Sequence, residues 1–197
     1  MAQKFAALQA SEWVMVNDDV MGGVSTSRLQ EKRGGLRLEG YLSTENNGGF
    51  NSARSKVIAP LDAIVESKGI SVQWRGSARP FQVIVHLRNR RIREYYRAFL
   101  LGNPALISWE QFEFRRRGRL DPTRNLSAEL DQIIEMGILL SDGFDGAWWL
   151  ELEEISLWTP EQSSSEANTG ALKSPCPAAT TLKSSGRTPS TSASSDR

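Results

Sequence analysis

Apolar and polar residues alternate in short segments along most of the chain, and this period of two is typical of strands that bury one face. In FQVIVHL, residues 81–87, the odd-numbered side chains share one face, whereas Gln82, Ile84 and His86 share the other. LRLEGYL, residues 36–42, alternates in the same way. Turn-forming Gly, Asn, Asp and Pro residues bound the other β-rich runs. Those runs predict strands at 11–16, 52–57, 70–74, 95–100, 111–114 and 136–140.

The alternation changes parity within WLELEEISLW, residues 149–158. Leu150 and Leu152 occupy even positions, but Ile155 and Leu157 occupy odd positions. One strand keeps both pairs on the same face only if an extra residue is accommodated between them. The sequence therefore predicts a β-bulge between Leu152 and Ile155.

Helical signal is limited to two short turns. One is predicted over 127–137, with Ser127 as its cap and Gly137 at its end. Its apolar stripe consists of Leu130, Ile133 and Ile134. The second covers 61–69. Many short strands with so little helix predict an all-β fold, a jelly-roll β-sandwich with one or two short helical turns.

Composition divides the chain into two parts. All six tryptophans lie in 1–159, whereas 160–197 is rich in Ser, Thr and Pro and contains no Ile, Val or aromatic residue. We therefore predict one folded domain, 1–159, and a disordered tail, 160–197. The single cysteine, Cys176, lies in that tail, so the domain offers neither a disulfide nor a cysteine-ligated metal site.

Targeting signals are absent from the sequence. No segment approaches the roughly 18 consecutive apolar residues of a membrane-spanning helix. The first residues lack the apolar core of a secretory signal and the Arg-rich pattern of an organelle presequence. We therefore expect the chain in a bacterial cytoplasm, peripheral to a membrane at most through a partner.

Three stretches carry more information than periodicity does. They are WVMVNDDVMGGVSTS (13–27), LSTENNGGFNSAR (42–54) and GILLSDGFDGAWWLELEEI (137–155). In order and spacing they resemble the family of the thirty-kilodalton complex I intermediate-associated protein. The resemblance implies a galactose-binding-like jelly roll and a chaperone-like role in assembling complex I (NADH dehydrogenase) or a related membrane oxidoreductase. We expect no cofactor. Twelve further residues match the family motifs and are expected to have structural roles. They are Trp13, Gly22, Gly23, Asn46, Asn47, Gly48, Gly49, Arg54, Ser141, Asp142, Gly146 and Trp149.

The sequence departs from the family pattern at one place in the last stretch. Trp148 and Trp149 stand where the family has Pro-Phe. We expect Trp149 to keep the core position of that aromatic residue.

The first stretch contains a polar loop whose candidate partner contacts are Asn17, Asp18, Asp19 and Met21. Carboxylates on a loop at the edge of a sandwich can meet basic groups of a partner or Ca²⁺. The alternative is purely structural, because Asn and Asp also hydrogen-bond their own backbone while glycines supply positive φ.

The other two stretches predict turns. Asn46 to Gly49 has the composition of a tight turn. Arg54 would pair with Asp18 or Asp19 if the first two motifs are neighbours. Residues 141–146 look like half of a calcium loop, but neither the ligand spacing nor the closing glutamate is present, so a hairpin-type turn is favoured and no metal is expected.

The most basic region is 75–124, which holds twelve arginines, no lysine and four carboxylates, although the whole chain has a net charge of only +1. Arginine suits bidentate contacts with carboxylate or phosphate. A solvated surface with no partner is the alternative interpretation. The candidate contacts fall in two clusters: Arg88, Arg90, Arg91 and Arg93, and Arg115, Arg116, Arg117 and Arg119.

Little in the sequence supports catalysis. His86 is the only histidine and lies within a predicted strand, and no nucleophile or phosphate-binding motif is present. The leading hypothesis is thus a non-catalytic assembly factor that holds a protein subunit of a membrane oxidoreductase. An RNA-binding module that uses the arginines remains open. A carbohydrate-binding module that uses Trp148 and its neighbours is the weaker alternative.

Overall fold

The computed structural model describes residues 2–91 and 93–159 as two antiparallel sheets that enclose one core. The predicted tail, 160–197, lies outside the described residues. The larger sheet has seven strands, in the order β1 (Trp13–Asn17), β4 (Asn51–Lys56), β11 (Ile133–Leu140), β6 (Gln82–Leu87), β7 (Glu94–Phe99), β9 (Glu113–Arg116) and β10 (Arg119–Asn125). The smaller sheet has five strands, in the order β2 (Thr26–Lys32), β3 (Gly35–Leu42), β12 (Gly146–Trp158), β5 (Gly69–Gly76) and β8 (Ala105–Ser108).

This architecture confirms the predicted all-β jelly-roll sandwich. The predicted bulge in β12 is also confirmed, since its register with β5 shifts between Leu152 and Glu154. The shift keeps Leu150, Leu152, Ile155 and Leu157 buried in the core. The parity change was therefore a reliable signal of local geometry.

The central strand β6 is buried on both faces, whereas the alternation of 81–87 predicted burial on one face only. Val83 and Val85 point into the core. Gln82, Ile84 and His86 are also buried, although they lie on the outer face of the larger sheet. Their burial needs cover from long side chains on the neighbouring strands of that face.

One predicted helical turn exists and the other is wrong. Leu61–Glu66 forms the single α-helix of the described residues, α1. The segment from 127 makes two 3-10 turns and then becomes β11, so that Ile133 and Ile134 lie in a strand. Gly137 lies inside that strand instead of ending a helix. A Cβ at Gly137 would approach the carbonyl oxygen of Ala53 to 2.5 Å, so the close approach of β4 requires glycine here.

The tight turn predicted at 46–49 exists, but it joins β3 of the smaller sheet to β4 of the larger sheet. Asn46 and Asn47 both have positive φ, at 55° and 59°, which asparagine tolerates better than most residues. The turn at 141–145 likewise connects β11 to β12 in the other sheet. It is therefore a connection between sheets, and the predicted hairpin-type turn is wrong there.

Strand register places these connections at one end of the sandwich. Asn17 pairs with Asn51, Asn51 pairs with Leu140, and Leu42 pairs with Gly146. Loops 18–25, 43–50 and 141–145 consequently meet at this end, which we call the loop end. The β6–β7 loop, 88–93, leaves from the opposite end of the larger sheet. Within the described residues, no helix is long and apolar enough to span a bilayer.

Candidate functional site

Asp18 holds two connections of the loop end together. Its carboxylate accepts hydrogen bonds from Ser25 N (3.0 Å), Ser25 Oγ (2.6 Å), Gly49 N (2.6 Å) and Phe50 N (3.3 Å). Burial raises the pKa of Asp18, but these hydrogen bonds outweigh burial and leave that pKa below its usual value. Asp18 is fully buried. It therefore has no surface with which to contact a partner, which corrects its place among the partner contacts.

The glycines of the first two motifs fit around the same carboxylate. A Cβ at Gly23 would lie 2.3 Å from Asp18 Cγ, and a Cβ at Gly48 would lie 2.6 Å from Asp18 Oδ2. Gly22 and Gly49 instead have positive φ, at 90° and 117°. Two of these glycines thus leave room for the carboxylate, and the other two allow the chain to turn.

Asn17 is partly buried and makes internal hydrogen bonds. Its Oδ1 accepts hydrogen bonds from Ser27 Oγ (2.5 Å) and Asn51 Nδ2 (2.9 Å). Asn51 Oδ1 in turn accepts from Trp148 Nε1 at 2.8 Å. These bonds link the two sheets, so Asn17 stabilises the fold instead of facing a partner. The Trp13 indole is buried too and donates to the Ala7 carbonyl at 2.7 Å.

Asp19 and Met21 are the candidate partner contacts of the first motif that the structure leaves exposed. Asp19 is exposed, and Met21 is 52% exposed. Val20 between them is 70% exposed. The turn therefore buries one carboxylate and presents the following residues to solvent.

The third motif supplies two further carboxylates that tie loops together. Asp142 makes a bidentate ion pair with Arg79, at 2.6 and 2.7 Å, and Gln82 reaches Ser141 Oγ at 3.4 Å. Burial raises the pKa of Asp142, but the Arg79 guanidinium and the Phe144 backbone amide outweigh burial and lower it. Asp145 accepts from the backbone and hydroxyl of Thr44, both at 2.8 Å. Gly146, at φ 144°, begins β12.

The two tryptophans occupy the reverse of their expected positions. Trp148 is the buried one, in edge-to-face contact with Phe81 at 6.0 Å. Trp149 lies on the outer face of the smaller sheet, under the Arg37 guanidinium at 4.8 Å. Trp148 therefore keeps the core position that was expected of Trp149. Because its ring is buried, Trp148 also cannot stack on a sugar.

Arg54 does not pair with Asp18 or Asp19, so that expectation was wrong. Arg54 lies on the outer face of the larger sheet, in register with Val14 and Gly137. It makes no hydrogen bond or ion pair with any residue that the structure describes, and its Nε is buried. Burial lowers the pKa of Arg54, and the nearby Glu135 and Tyr95 only partly offset the effect.

The two arginine clusters come together at the end of the sandwich opposite the loop end. The backbone N–H of Arg117 donates to the carbonyl of Arg93 at 2.8 Å. Arg116 lies 3.5 Å from Glu94. The β6–β7 loop and the β9–β10 hairpin therefore form one basic surface, although more than twenty residues separate the clusters in the sequence.

Some arginines of this region are neutralised by internal carboxylates. Glu129 pairs with Arg90 at 2.7 Å and with Arg124 at 2.9 Å, and it accepts from the Tyr96 hydroxyl at 2.8 Å. Burial, with Glu129 beside it, raises the pKa of Tyr96 to about 12. Glu113 similarly pairs with Arg115 at 2.5 Å. Arg90 and Arg115 are thus held within the domain and are not free to bind a partner.

The remaining arginines of the two clusters are exposed, and we call them the arginine end. Within the described part of the chain, all of them except Arg116 lack an ion pair. Like charges that converge in this way repel one another, and an anionic partner relieves that repulsion. The arginine end consists of Arg88, Arg91, Arg93, Arg116, Arg117 and Arg119.

An open groove of about 690 Å³ lies on the smaller sheet, beside Tyr41 and Trp149. Its charged side chains already pair with one another or with Glu151, since Arg37 bonds both Glu39 and Glu151. Among the described residues, no cluster of His, Cys, Asp or Glu could hold a metal ion. The unpaired charge of the larger sheet therefore makes that sheet the stronger candidate for binding.

The fold places the chain in a class of two-sheet β-sandwich modules. One similar structure is the family 11 carbohydrate-binding module of the cellulosomal cellulase Lic26A-Cel5E of Clostridium thermocellum, at 13% identity and a TM-score of 0.52, over 80% of this chain and 96% of that one. Another, from the same organism and in complex with a β-1,3-1,4-mixed-linked tetrasaccharide, has 13% identity and a TM-score of 0.48, over 81% and 98% of the two chains. At such identity the likeness shows the fold alone.

The sequence comparisons give the particular family. Residues 3–152 match the family model of Complex I intermediate-associated protein 30 (CIA30), and the chain belongs to this family. A curated relative, the mitochondrial Complex I intermediate-associated protein 30 of Mus musculus, is 25% identical over 173 residues, which cover 75% of this chain and 52% of the relative. The chain thus spans about half the length of that relative.

Proposed function

We propose that this chain is a non-catalytic binding module that holds a protein subunit or intermediate of complex I, or of a related membrane oxidoreductase, through its arginine end. Membership of the complex I intermediate-associated family supports the role in assembly. One observation supports the place of contact. Exposed arginines without an ion pair converge at that end from two separate hairpins.

Charge complementarity defines the partner as acidic. Guanidinium groups bind carboxylates with paired hydrogen bonds, and exposed basic patches accelerate the approach of acidic surfaces. Asp19, Val20 and Met21 lie at the loop end, on the far side of the sandwich. The arginine end is therefore proposed as the primary contact, and the loop end is not part of the proposed interface.

Affinity capture with a charge-reversed variant tests the proposal. The purified chain is used to capture partners from a membrane-complex assembly extract, with and without nuclease. Arg91→Glu combined with Arg93→Glu reverses two exposed charges of the arginine end. We expect at least about a tenfold loss of captured oxidoreductase subunits, because interfacial charge pairs become repulsive.

The control variant carries Lys32→Glu and Arg33→Glu. Lys32 ends β2 and Arg33 begins the turn to β3, and both are exposed, so the variant has the same change in net charge at a different place. It should capture subunits as the unsubstituted chain does. Equal losses in both variants would refute the proposed place of contact. Nuclease-sensitive capture of RNA without any oxidoreductase subunit would refute the assembly role and favour an RNA-binding module.

A further inference from the structure

The outer face of the larger sheet contains a concentration of buried polar atoms that make no hydrogen bond. They come from β4, β6, β7 and β9, and all are buried without a hydrogen bond to the described residues. The atoms are Ser52 Oγ, Arg54 Nε, His86 Nε2, Arg97 Nε and Arg115 Nε. Ser52 is 2% exposed and His86 is 6% exposed. A buried polar group without a partner destabilises a fold, so such a concentration on one face indicates a site built for a ligand.

Arg54 is the centre of this face because Gly137 lets it cross the sheet. A Cβ at Gly137 would lie 3.1 Å from Arg54 Cγ and 3.1 Å from Ile84 Cγ1. The Arg54 side chain therefore passes over Gly137 of β11 and towards β6, where its charge acts on His86. This packing explains why the third motif begins with glycine.

Arg97 and Arg115 on this face have internal partners, whereas the half-buried Arg54 has none among the described residues. Arg97 donates from Nη1 to Gln82 Oε1 at 2.9 Å, and Arg97 and Arg115 share Glu113. Glu135 is opposite His86 in the ladder between β11 and β6 but makes no ion pair with Arg54. An unpaired guanidinium that is partly removed from water favours an anion, above all one with two oxygen atoms.

Burial lowers the pKa of His86 to about 4, so the imidazole beside Arg54 is uncharged at pH 7. The Glu94 backbone partly offsets this shift, and Nε2 is buried without a hydrogen bond to the described residues. The Tyr95 ring lies 5.9 Å from the imidazole. Tyr95 comes two residues after Arg93, so the outer face adjoins the arginine end.

We propose that Arg54 forms a carboxylate-binding site beside His86 on the outer face of the larger sheet, which takes an acidic side chain from an extended segment of the protein held at the arginine end. This inference rests on the proposed function. Arg54 binds the carboxylate, and the adjoining Tyr95 ring packs against the backbone of the segment. A subunit would thus bind both to the exposed arginine end and to the half-buried Arg54 site beside it.

NMR titration of the intact chain with hexaglutamate tests the site, with hexaglutamine as the uncharged control. The signals to follow are the ring protons of His86, the only histidine, and the Nε–H of Arg54. At pH 7 we expect hexaglutamate to shift both signals and hexaglutamine to shift neither. Arg54→Met should weaken hexaglutamate binding, read at His86, by about tenfold because charge-assisted hydrogen bonds are lost.

Lys56→Met is the matched control, because Lys56 lies on the same strand and the same face as Arg54 but is exposed. It should change the affinity less than about twofold. Thermal unfolding of Arg54→Met distinguishes binding from support of the fold. Removal of an unpaired, partly buried charge should leave the melting temperature unchanged or higher. A large fall in melting temperature with unchanged peptide affinity would make Arg54 a structural residue and overturn the site.

The two proposals fail separately. If Arg91→Glu with Arg93→Glu abolishes capture but hexaglutamate leaves His86 and Arg54 unmoved, only the carboxylate site is refuted. If hexaglutamate shifts these signals but Arg91→Glu with Arg93→Glu leaves capture unchanged, the arginine end is refuted as the place of contact and the carboxylate site stands. An oligouridylate that moves them more strongly than hexaglutamate would overturn the assignment to carboxylate.

Discussion

At the scale of single residues, the two adjacent carboxylates Asp18 and Asp19 have opposite roles. Asp18 accepts four hydrogen bonds inside the loop end, whereas Asp19 is exposed and accepts only from the Val20 amide, at 3.0 Å. Asp18→Ala leaves the buried N–H of Ser25 and the partly buried N–H of Gly49 without an acceptor. We expect the free energy of unfolding to fall by about 3 kcal/mol, as measured by urea denaturation.

Asp19→Ala is the natural control for this experiment. It removes the same functional group one residue away, and the free energy of unfolding should change by no more than about 0.5 kcal/mol. Similar losses in the two variants would show that the buried hydrogen bonds of Asp18 do not stabilise the fold.

His86 gives the domain a defined dependence on pH. Burial first, and the Arg54 charge second, lower the pKa of His86 from 6.5 to about 4, although the bond to the Glu94 backbone opposes them. The unfolded chain therefore binds the proton more readily than the folded domain does. The stabilisation from a neutral His86 is present above pH 6.5 and is lost as the pH falls from about 6.5 to about 4.

Two measurements check this pH dependence. The NMR titration midpoint of the single histidine should lie near 4. In addition, the free energy of unfolding should fall by about 3 kcal/mol more in the unsubstituted chain than in His86→Gln over that interval. A midpoint near 6.5 would mean that the outer face is open to water at His86.

At the scale of elements, the sequence predicts those strands whose burial is regular. The alternation in 81–87 and the parity change in 149–158 identify β6 and the bulge of β12, because core-facing positions must be apolar. The edge strands β2 (TSRLQEK) and β10 (RLDPTRN) were missed, since mostly polar sequences of this kind give no periodic signal. The segment that starts β11 was mistaken for a helix because its stripe at 130, 133 and 134 also fits a period of 3.6.

The candidate site was predictable only in part, for a related reason. The sequence shows that segments 88–93 and 115–119 are rich in arginine and therefore basic. It does not show that the two clusters adjoin, which depends on β7 lying between β6 and β9. The outer-face site joins Arg54, His86 and Tyr95 from three strands. Such a site has no signature in local spacing, and the family motif alone identified only Arg54.

The β9–β10 hairpin contains a residue that is unfavourable for its turn. Arg117 and Gly118 have φ of 52° and 78°, the positive values of a type I′ turn, in which Asn-Gly is preferred. We expect Arg117→Asn to raise the free energy of unfolding by about 0.5 kcal/mol. Arg119→Asn, at ordinary φ in the adjoining strand, should bring no gain. A loss of stability in Arg117→Asn would show that the Arg117 side chain supports the hairpin.

At the scale of the whole molecule, charge is distributed unevenly along the sandwich. The net charge is +1, yet the loop end is organised around the carboxylates of Asp18, Asp142 and Asp145, and the opposite end exposes the arginines. A near-neutral total therefore conceals a strongly basic end. If the arginine end binds the partner as proposed, changes there should alter binding with little effect on stability, because the buried carboxylates that stabilise the fold lie at the other end.

The distribution of charge predicts how salt affects partner binding. Exposed charges act over about 8 Å at physiological ionic strength, so added salt weakens steering by the arginine end more than it weakens contacts already formed. We expect the association rate for the captured subunit, measured by surface plasmon resonance, to fall about tenfold between 0.05 and 0.5 M salt while the dissociation rate changes less. Arg91→Glu with Arg93→Glu should flatten this dependence, and Lys32→Glu with Arg33→Glu should preserve it. If instead the dissociation rate carries the salt effect, the subunit is held mainly by exposed ion pairs, and the half-buried Arg54 site contributes little to the complex.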